Sequence, residues 1–187
     1  MWRGLVTEAC LWVRQLRTRM INVRFEQPSD ASCVREVNEL AFDSQIEARI
    51  VESLREAPDS ISLVAIKNDL VIGHILFTPV SLEPPVGFRV AGLGPMSVRP
   101  EDQRAGVGGQ LVRAGLEACR QRGYSAVVVV GHPEYYPRFG FEPAHTRGLT
   151  LRDFDVPQDV FMVVELAAGV RERLKGAVRY PSEFAEA

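Results

Sequence analysis

The stretch Gln103-Arg104-Ala105-Gly106-Val107-Gly108-Gly109 stands between an apolar segment ending at Val98 and a helical pattern running to about Arg122, and it decides the fold. Val107, Leu111, Val112, Leu116 and Cys119 recur at helical spacing, and Gly123 supplies the stop. Ala126 to Val130 follows as an unbroken, mostly β-branched run, the pattern of a strand covered on both faces. Strand, helix and buried strand in series predict a right-handed parallel crossover. The loop that opens the helix suits an anion. Amides at a helix start have no carbonyl partner, and the helix dipole adds partial positive charge there. A pyrophosphate answers both needs. Gly106 and Gly108 let the backbone approach phosphate oxygens, Arg104 adds a charge-assisted donor, and Gln103 can hold the loop through its amide.

Two other nucleotide-binding patterns fail here. A Walker loop needs Gly-Lys followed by Ser or Thr, whereas Gly109 precedes Gln110 and Leu111. A dinucleotide fingerprint needs a third glycine where Leu111 stands. Upstream, Gly92, Gly94 and Pro95 interrupt the strand before Met96-Ser97-Val98, predicting a bulge that pries this strand from its neighbour. A cofactor's peptide-like arm could then bond to backbone groups around Met96, Ser97 and Val98 as an added strand. A bare sheet edge distorted for packing would leave the same trace.

Working outward, Ile21 to Phe25 alternates as a first strand, and Pro28-Ser29-Asp30 offers Ser29 or Asp30 as the acceptor for a first helix. A second helix is expected over Ser44 to Glu56, closed by Pro58. Ser62 to Lys67 and Leu70 to Phe77 read as a hairpin about Asn68-Asp69. Phe88 to Val98 is the strand before the glycine loop, while Leu149 to Leu151 and Val160 to Leu166 are later strands. Gly176 to Tyr180 is expected at a sheet edge. The fold class is therefore α/β in the α+β sense: a mixed, mostly antiparallel central sheet with one parallel β-α-β crossover and flanking helices.

The 187 residues suffice for one domain, expected over 20–187 with a segment of uncertain structure from about 167. Residues 1–19, with four arginines against one glutamate, read as an N-terminal extension, loosely ordered or docked on the domain; a transit peptide or surface-seeking amphipathic helix is the alternative, and a secretory signal does not fit. A formal charge of -2 gives no basis for binding nucleic acid, and no apolar run is long enough for a bilayer. Three dispersed cysteines form neither a disulfide framework nor a metal-ligand pattern, which points to a reducing compartment, the cytoplasm.

Val98-Arg99-Pro100 followed by Gln103 to Gly108 resembles the acetyl-CoA-binding motif of the GCN5-related N-acetyltransferase (GNAT) superfamily. Gly131-His132-Pro133 and the segment from Tyr136 to Phe141 resemble, more narrowly, a bacterial group of predicted N-acetyltransferases. The resemblance covers roughly 20–166 and implies the acyl-CoA N-acyltransferase fold, acetyl-CoA as cosubstrate and no metal. It implies Met96, Ser97, Val98, Gln103, Arg104, Ala105, Gly106, Val107, Gly108 and Gly109 as cofactor-binding positions. Tyr136 matches the family's Tyr-x-x-x-Gly-Phe tyrosine and would be the general acid, while Tyr135, one residue off, would point elsewhere. The acceptor would be a primary amine of a small molecule or peptide.

Family members often carry a glutamate on the strand before the cradle, but 91–98 holds no carboxylate. That absence leaves a water relay, an acceptor bound already neutral, or a base from another segment: His74 and His132 are candidates, with a satisfied core or edge histidine and a loop anchor as their plain alternatives. Glu47, Glu52 and Glu56 read as a solvated helix face, although Asp43 and Glu47 could meet a cationic acceptor. Aromatic packing among Tyr136, Phe139 and Phe141 is the plain alternative to a catalytic tyrosine. Two further functions fit the same residues: a catalytically degenerate acyl-CoA sensor or interaction module, and a scaffold that binds acylated protein without coenzyme. A homodimer through the C-terminal strands is the expected assembly.

Overall fold

The computed structural model describes residues 20–152 and 155–185; the expected extension over 1–19 lies outside the described residues. Strands β1 (Asn22–Phe25), β2 (Ile61–Lys67), β3 (Leu70–Glu83), β4 (Arg89–Val98) and β5 (Tyr124–Val130) make most of the sheet. The short β6 (Glu142–Pro143), β7 (Leu149–Leu151), β8 (Phe161–Glu165) and β9 (Gly176–Arg179) complete it. Helices α1 (Ala31–Phe42) and α2 (Ile46–Leu54) precede β2, and α3 (Val107–Gln121) joins β4 to β5. The strand order is β1-β2-β3-β4-β5-β8-β6, antiparallel except for the β4–β5 pair; β9 pairs with both β3 and β7, the latter in parallel.

Alternation along the strands divides the core. Leu63, Ile75, Phe77, Leu93, Val127 and Val129 meet the stripe of α3 on one face. Phe77 fits only because residue 115 of α3 is glycine, where a Cβ would collide with the Phe77 ring. On the opposite face, Val64, Val71 and Leu76 pack under α1 and α2, while Val90, Val128, Val163 and Val178 pack toward the C-terminal segment. Phe184 packs against both of these clusters and so joins them.

Several expectations are met closely. Asn68 and Asp69 take φ of 52° and 62°, the left-handed pair that a two-residue hairpin demands. Others need correction. Asp30 ends a short 3₁₀ turn, and its carboxylate reaches back to the Gln27 amide (2.8 Å) and to Arg24 instead of capping α1. Strand β3 runs six residues past Phe77, through Pro79 to Glu83. Pro79 falls after the last β2 pairing at Phe77 and before the first β9 pairing at Ser81, where β3 has a single neighbour and a missing N–H costs no ladder bond. That extension gives β9 partners on both sides, so β9 is not an edge.

The feature that shapes the site is the splay of β4 from β5. Their pairing ends at Leu93↔Val129, and the β3 register shifts across Gly94 and Pro95. From Gly94 to Val98, β4 has β3 as its only strand partner among the described residues.

Candidate active site

Two cavities meet beside the splayed strand. The larger, about 790 Å³, is lined by Met96 and Val98 of β4, by Asp102 to Arg104 and Gly106 to Gly109, and by Tyr135, Tyr136 and Phe139. The smaller, about 400 Å³, lies toward α2 and the C-terminal segment. Four residues line both: Phe42, Met96, His132 and Tyr136.

In the larger cleft the glycine loop opens α3. Gly106 is the N-cap of α3 at φ 85°; open space surrounds its Cβ position, so it is the backbone angle that requires glycine. Gln110 donates the first turn's bond to Gly106 O (3.2 Å), and no amide from 104 to 109 finds a backbone acceptor among the described residues. Gln103 Nε2 donates to Val98 O (3.1 Å) and ties the loop to β4. A Cβ on Gly108 would stand 2.6 Å from Tyr135 Oη, so the space over this turn exists only without a side chain. These orphan amides and the bare glycine fit a pyrophosphate.

The charge of the cleft is positive. Arg104, Arg113 and Arg138 line it, and its carboxylate Asp102 is held by Lys67 at 2.6 Å. Arg113 donates to Gly109 O (3.1 Å) and stacks over Phe139, while Arg138 lies 4.1 Å over the Tyr135 ring. Sequence reading missed both, since arginines on an exposed helix turn look like ordinary surface. Tyr135 was expected to point elsewhere, yet it faces this cleft. Ser97 and Ala105 do not line it. Ser97 stands opposite His74 in the ladder, so its buried hydroxyl takes the α1 face, without a hydrogen-bond partner.

Tyr136 opens the 3₁₀ turn Tyr136–Phe139, braced by bonds from the Tyr135 and Tyr136 amides to His132 O (3.0 and 3.4 Å). Its ring packs edge-on against Tyr135 and Phe141 at 5.1 and 5.5 Å, and a Cβ at Gly131 would enter it. Packing and access therefore coexist: the ring is 6% exposed, yet it borders both cavities. Burial, with a smaller contribution from Tyr135, pushes its phenol well above the ordinary range.

The two histidines part company. His74 is fully buried and lines neither cavity. Asn38 Nδ2 approaches its Nδ1 at 3.4 Å, and its Nε2 lies 2.8 Å from Ser62 Oγ. Ser62 bonds onward to Glu26, which pairs with Arg55 at 2.6 Å. Donors and acceptors alternate along this chain when a neutral imidazole carries its proton on Nε2. Burial pushes the His74 pKa down, against the pull of Glu26. Burial pushes the Glu26 carboxyl up, but the nearby His74 ring at 3.7 Å, the bond from Ser62 and the charge of Arg55 bring it below its ordinary value. His132, by contrast, lines both cavities. Burial pushes the Cys119 thiol up to about 12, which keeps it inert as a nucleophile. No group of three or more His, Cys, Asp or Glu suited to a metal occurs among the described residues, and none of their helices is long and apolar enough to cross a membrane.

A family model described as an acetyltransferase (GNAT) domain matches residues 22–144. The chain is 44% identical over 119 residues to the uncharacterized N-acetyltransferase YjhQ of Escherichia coli K12, covering 62% of this chain but 66% of that relative, just under two thirds of its length. It is 34% identical over 164 residues to the uncharacterized N-acetyltransferase YhbS of the same strain, covering 87% and 97% of the two chains. The crystal structure of E. coli YhbS in complex with CoA superposes with a TM-score of 0.82 at 33% identity, over 88% of this chain and 91% of that one. A GNAT family acetyltransferase from Brucella melitensis, in complex with acetyl-CoA, gives a TM-score of 0.70 at 34% identity over 88% and 98%.

Proposed function

The chain belongs to the GNAT acetyltransferase family, and from that premise we propose that it transfers an acetyl group from acetyl-CoA to a primary amine by direct attack, with Tyr136 as general acid. The observation that carries this reading is the position of Tyr136 on the shared wall of the two cavities. The larger cleft supplies what a coenzyme needs: free amides at 104–109, three guanidinium groups and a stretch of β4 left unpaired on its β5 side. The CoA and acetyl-CoA bound by the two similar structures support that assignment. Bound there, acetyl-CoA supplies an acetyl group activated as a thioester.

The chain's own residues must then manage protons. An alkyl ammonium has a pKa of about 10, so it has to lose a proton before it can attack. His132 takes that role, because it borders both cavities while His74 is sealed beneath α1. Tyr136 holds a proton on Oη for the departing sulfur, and its raised pKa keeps the phenol protonated through neutral pH. Backbone amides of β4 between Gly94 and Val98 are the candidates to steady the thioester oxygen. The free thiols Cys33 and Cys119 support a reducing compartment, and we place the reaction in the cytoplasm.

The test is thiol release from acetyl-CoA across a panel of amines, after calorimetry has established coenzyme binding. Tyr136→Phe should lower kcat by roughly 10²–10⁴-fold, the usual range for losing a general acid, with coenzyme affinity intact. Unchanged turnover would reject the acid role. Binding without thiol release from any amine would favour the degenerate sensor instead.

A further inference from the structure

The smaller cavity contains a charge with no partner. Its wall is mainly carbon, with Ile50 of α2, Leu93 and Met96 of β4, and Tyr180 and Phe184 of the C-terminal segment among its parts. Glu47, in the first turn of α2, is set into that wall. Its Oε2 is shielded from solvent and has no hydrogen-bond or ion partner among the described residues. Other shielded carboxylates have a cation opposite them: Glu26 holds Arg55, Asp30 holds Arg24, Asp102 holds Lys67, and Glu165 Oε1, also without a hydrogen bond, lies 3.3 Å from Arg147. Glu47 itself is only half-buried, but a carboxylate oxygen turned from water with nothing opposite it is a ready acceptor for a visiting cation.

Size and wall narrow the visitor further. A volume of about 400 Å³ suits a small molecule. Phe184, on the turn Ser182–Phe184, packs edge-on to Tyr180 at 5.2 Å and reaches to within 3.7 Å of a Cβ position on Gly94. The two rings therefore line the cavity just where β4 bulges. The volume and the two aromatic rings in the wall match a small amine that carries a ring of its own. A polyhydroxylated amine would bring hydroxyls that a carbon wall leaves unpaired.

Resting on the acetyltransferase reading above, we propose that Glu47 anchors the acceptor's ammonium and that the acceptor is a small primary monoamine with an apolar, ring-bearing body seated against Tyr180 and Phe184. The ammonium N–H donates to Glu47 Oε2, and the rings pack against the body. Glu47 is a binding residue in this scheme: it holds the ammonium on arrival, and the same nitrogen gives its proton to His132 before it attacks.

The test is calorimetric titration of the CoA-loaded protein with 2-phenylethylamine, with 2-phenylethanol as the same body without charge, with spermidine, and with a lysine-containing pentapeptide. 2-Phenylethylamine should bind at least about tenfold more tightly than each of the others, a comparison that needs no variant. Glu47→Gln should weaken the amine by about 30-fold, erase the preference over the alcohol and leave CoA affinity unchanged. Phe184→Ala should weaken amine and alcohol alike. An amine preference that survives Glu47→Gln, or tightest binding by the peptide or spermidine, overturns the proposal. Thiol release from acetyl-CoA separates the two levels. Turnover of the peptide but of no small amine sinks this inference and leaves the acetyltransferase reading. Glu47-dependent binding of 2-phenylethylamine without thiol release from any amine sinks that reading and leaves the ammonium site.

Discussion

On one side of Tyr136 the wall comes largely from a single loop, Asp102 to Gly109, and the helix it opens; on the other it is assembled from α1, α2, β4, β5 and the C-terminal turn. The first grips with main-chain amides and the second with side chains. Amides are available wherever a helix starts, so the glycines that expose them cluster in a few consecutive positions. Side-chain walls come together only through tertiary folding. Phe42 and Phe184 are far apart in the chain and border the same 400 Å³.

That contrast breaks most sharply at Gly108. Gly108→Asp puts a carboxylate among the orphan amides and presses on Tyr135, so coenzyme affinity should fall by about 10³-fold or more, as several kcal/mol of like-charge repulsion implies. Calorimetry with CoA checks this, and undiminished binding would mean that the loop is no cradle. Mirror-image behaviour is expected at Phe184, whose truncation should alter amine affinity and spare the coenzyme.

A smaller effect tests the scaffold common to both sides. Gly115→Ala drives a methyl into the Phe77 ring and should cost about 1–3 kcal/mol of stability, read as a lower melting temperature. Neither cavity contains that position, so residual folded enzyme should retain its coenzyme affinity.

Acid is the mildest probe. With its folded pKa below the ordinary 6.5, His74 stays neutral in the fold, and the unfolded chain binds the extra proton first. Stability should therefore fall as pH drops below about 6.5, by up to about 1.4 kcal/mol per pH unit for one proton. Glu26, with its pKa lowered, adds a further loss once the pH falls through its own folded value. Urea midpoints between pH 7.5 and 5 measure the slope, and a flat profile would contradict a neutral, buried His74.

The crossover β4–α3–β5 and the hairpin at Asn68-Asp69 were legible because period, glycine and turn residues carry their meaning locally. The loop tie through Gln103 and the splay at Gly94-Pro95 were legible for the same reason. Arg113, Arg138 and Tyr135 were not, because nothing in an exposed arginine states which cleft it will border. Residues after 167 gave the poorest reading: Phe184 acquires a role only once β9 has docked on an extended β3. Pro79 concealed that extension, since a proline there looks like a strand's end. Glu47 was noticed as a charge near the cleft, but its want of a partner is a property of the folded neighbourhood alone.

The gap beside β4 also makes the protein its own occupancy gauge. With no strand among the described residues paired to that flank from Gly94 onward, a ligand that lies along it finishes the ladder as a borrowed rung, and binding then counts as folding. Deuterium uptake at 94–98 should drop when the coenzyme is bound, while uptake at 63–66 of β2, paired with β1 on one side and β3 on the other, stays as it was.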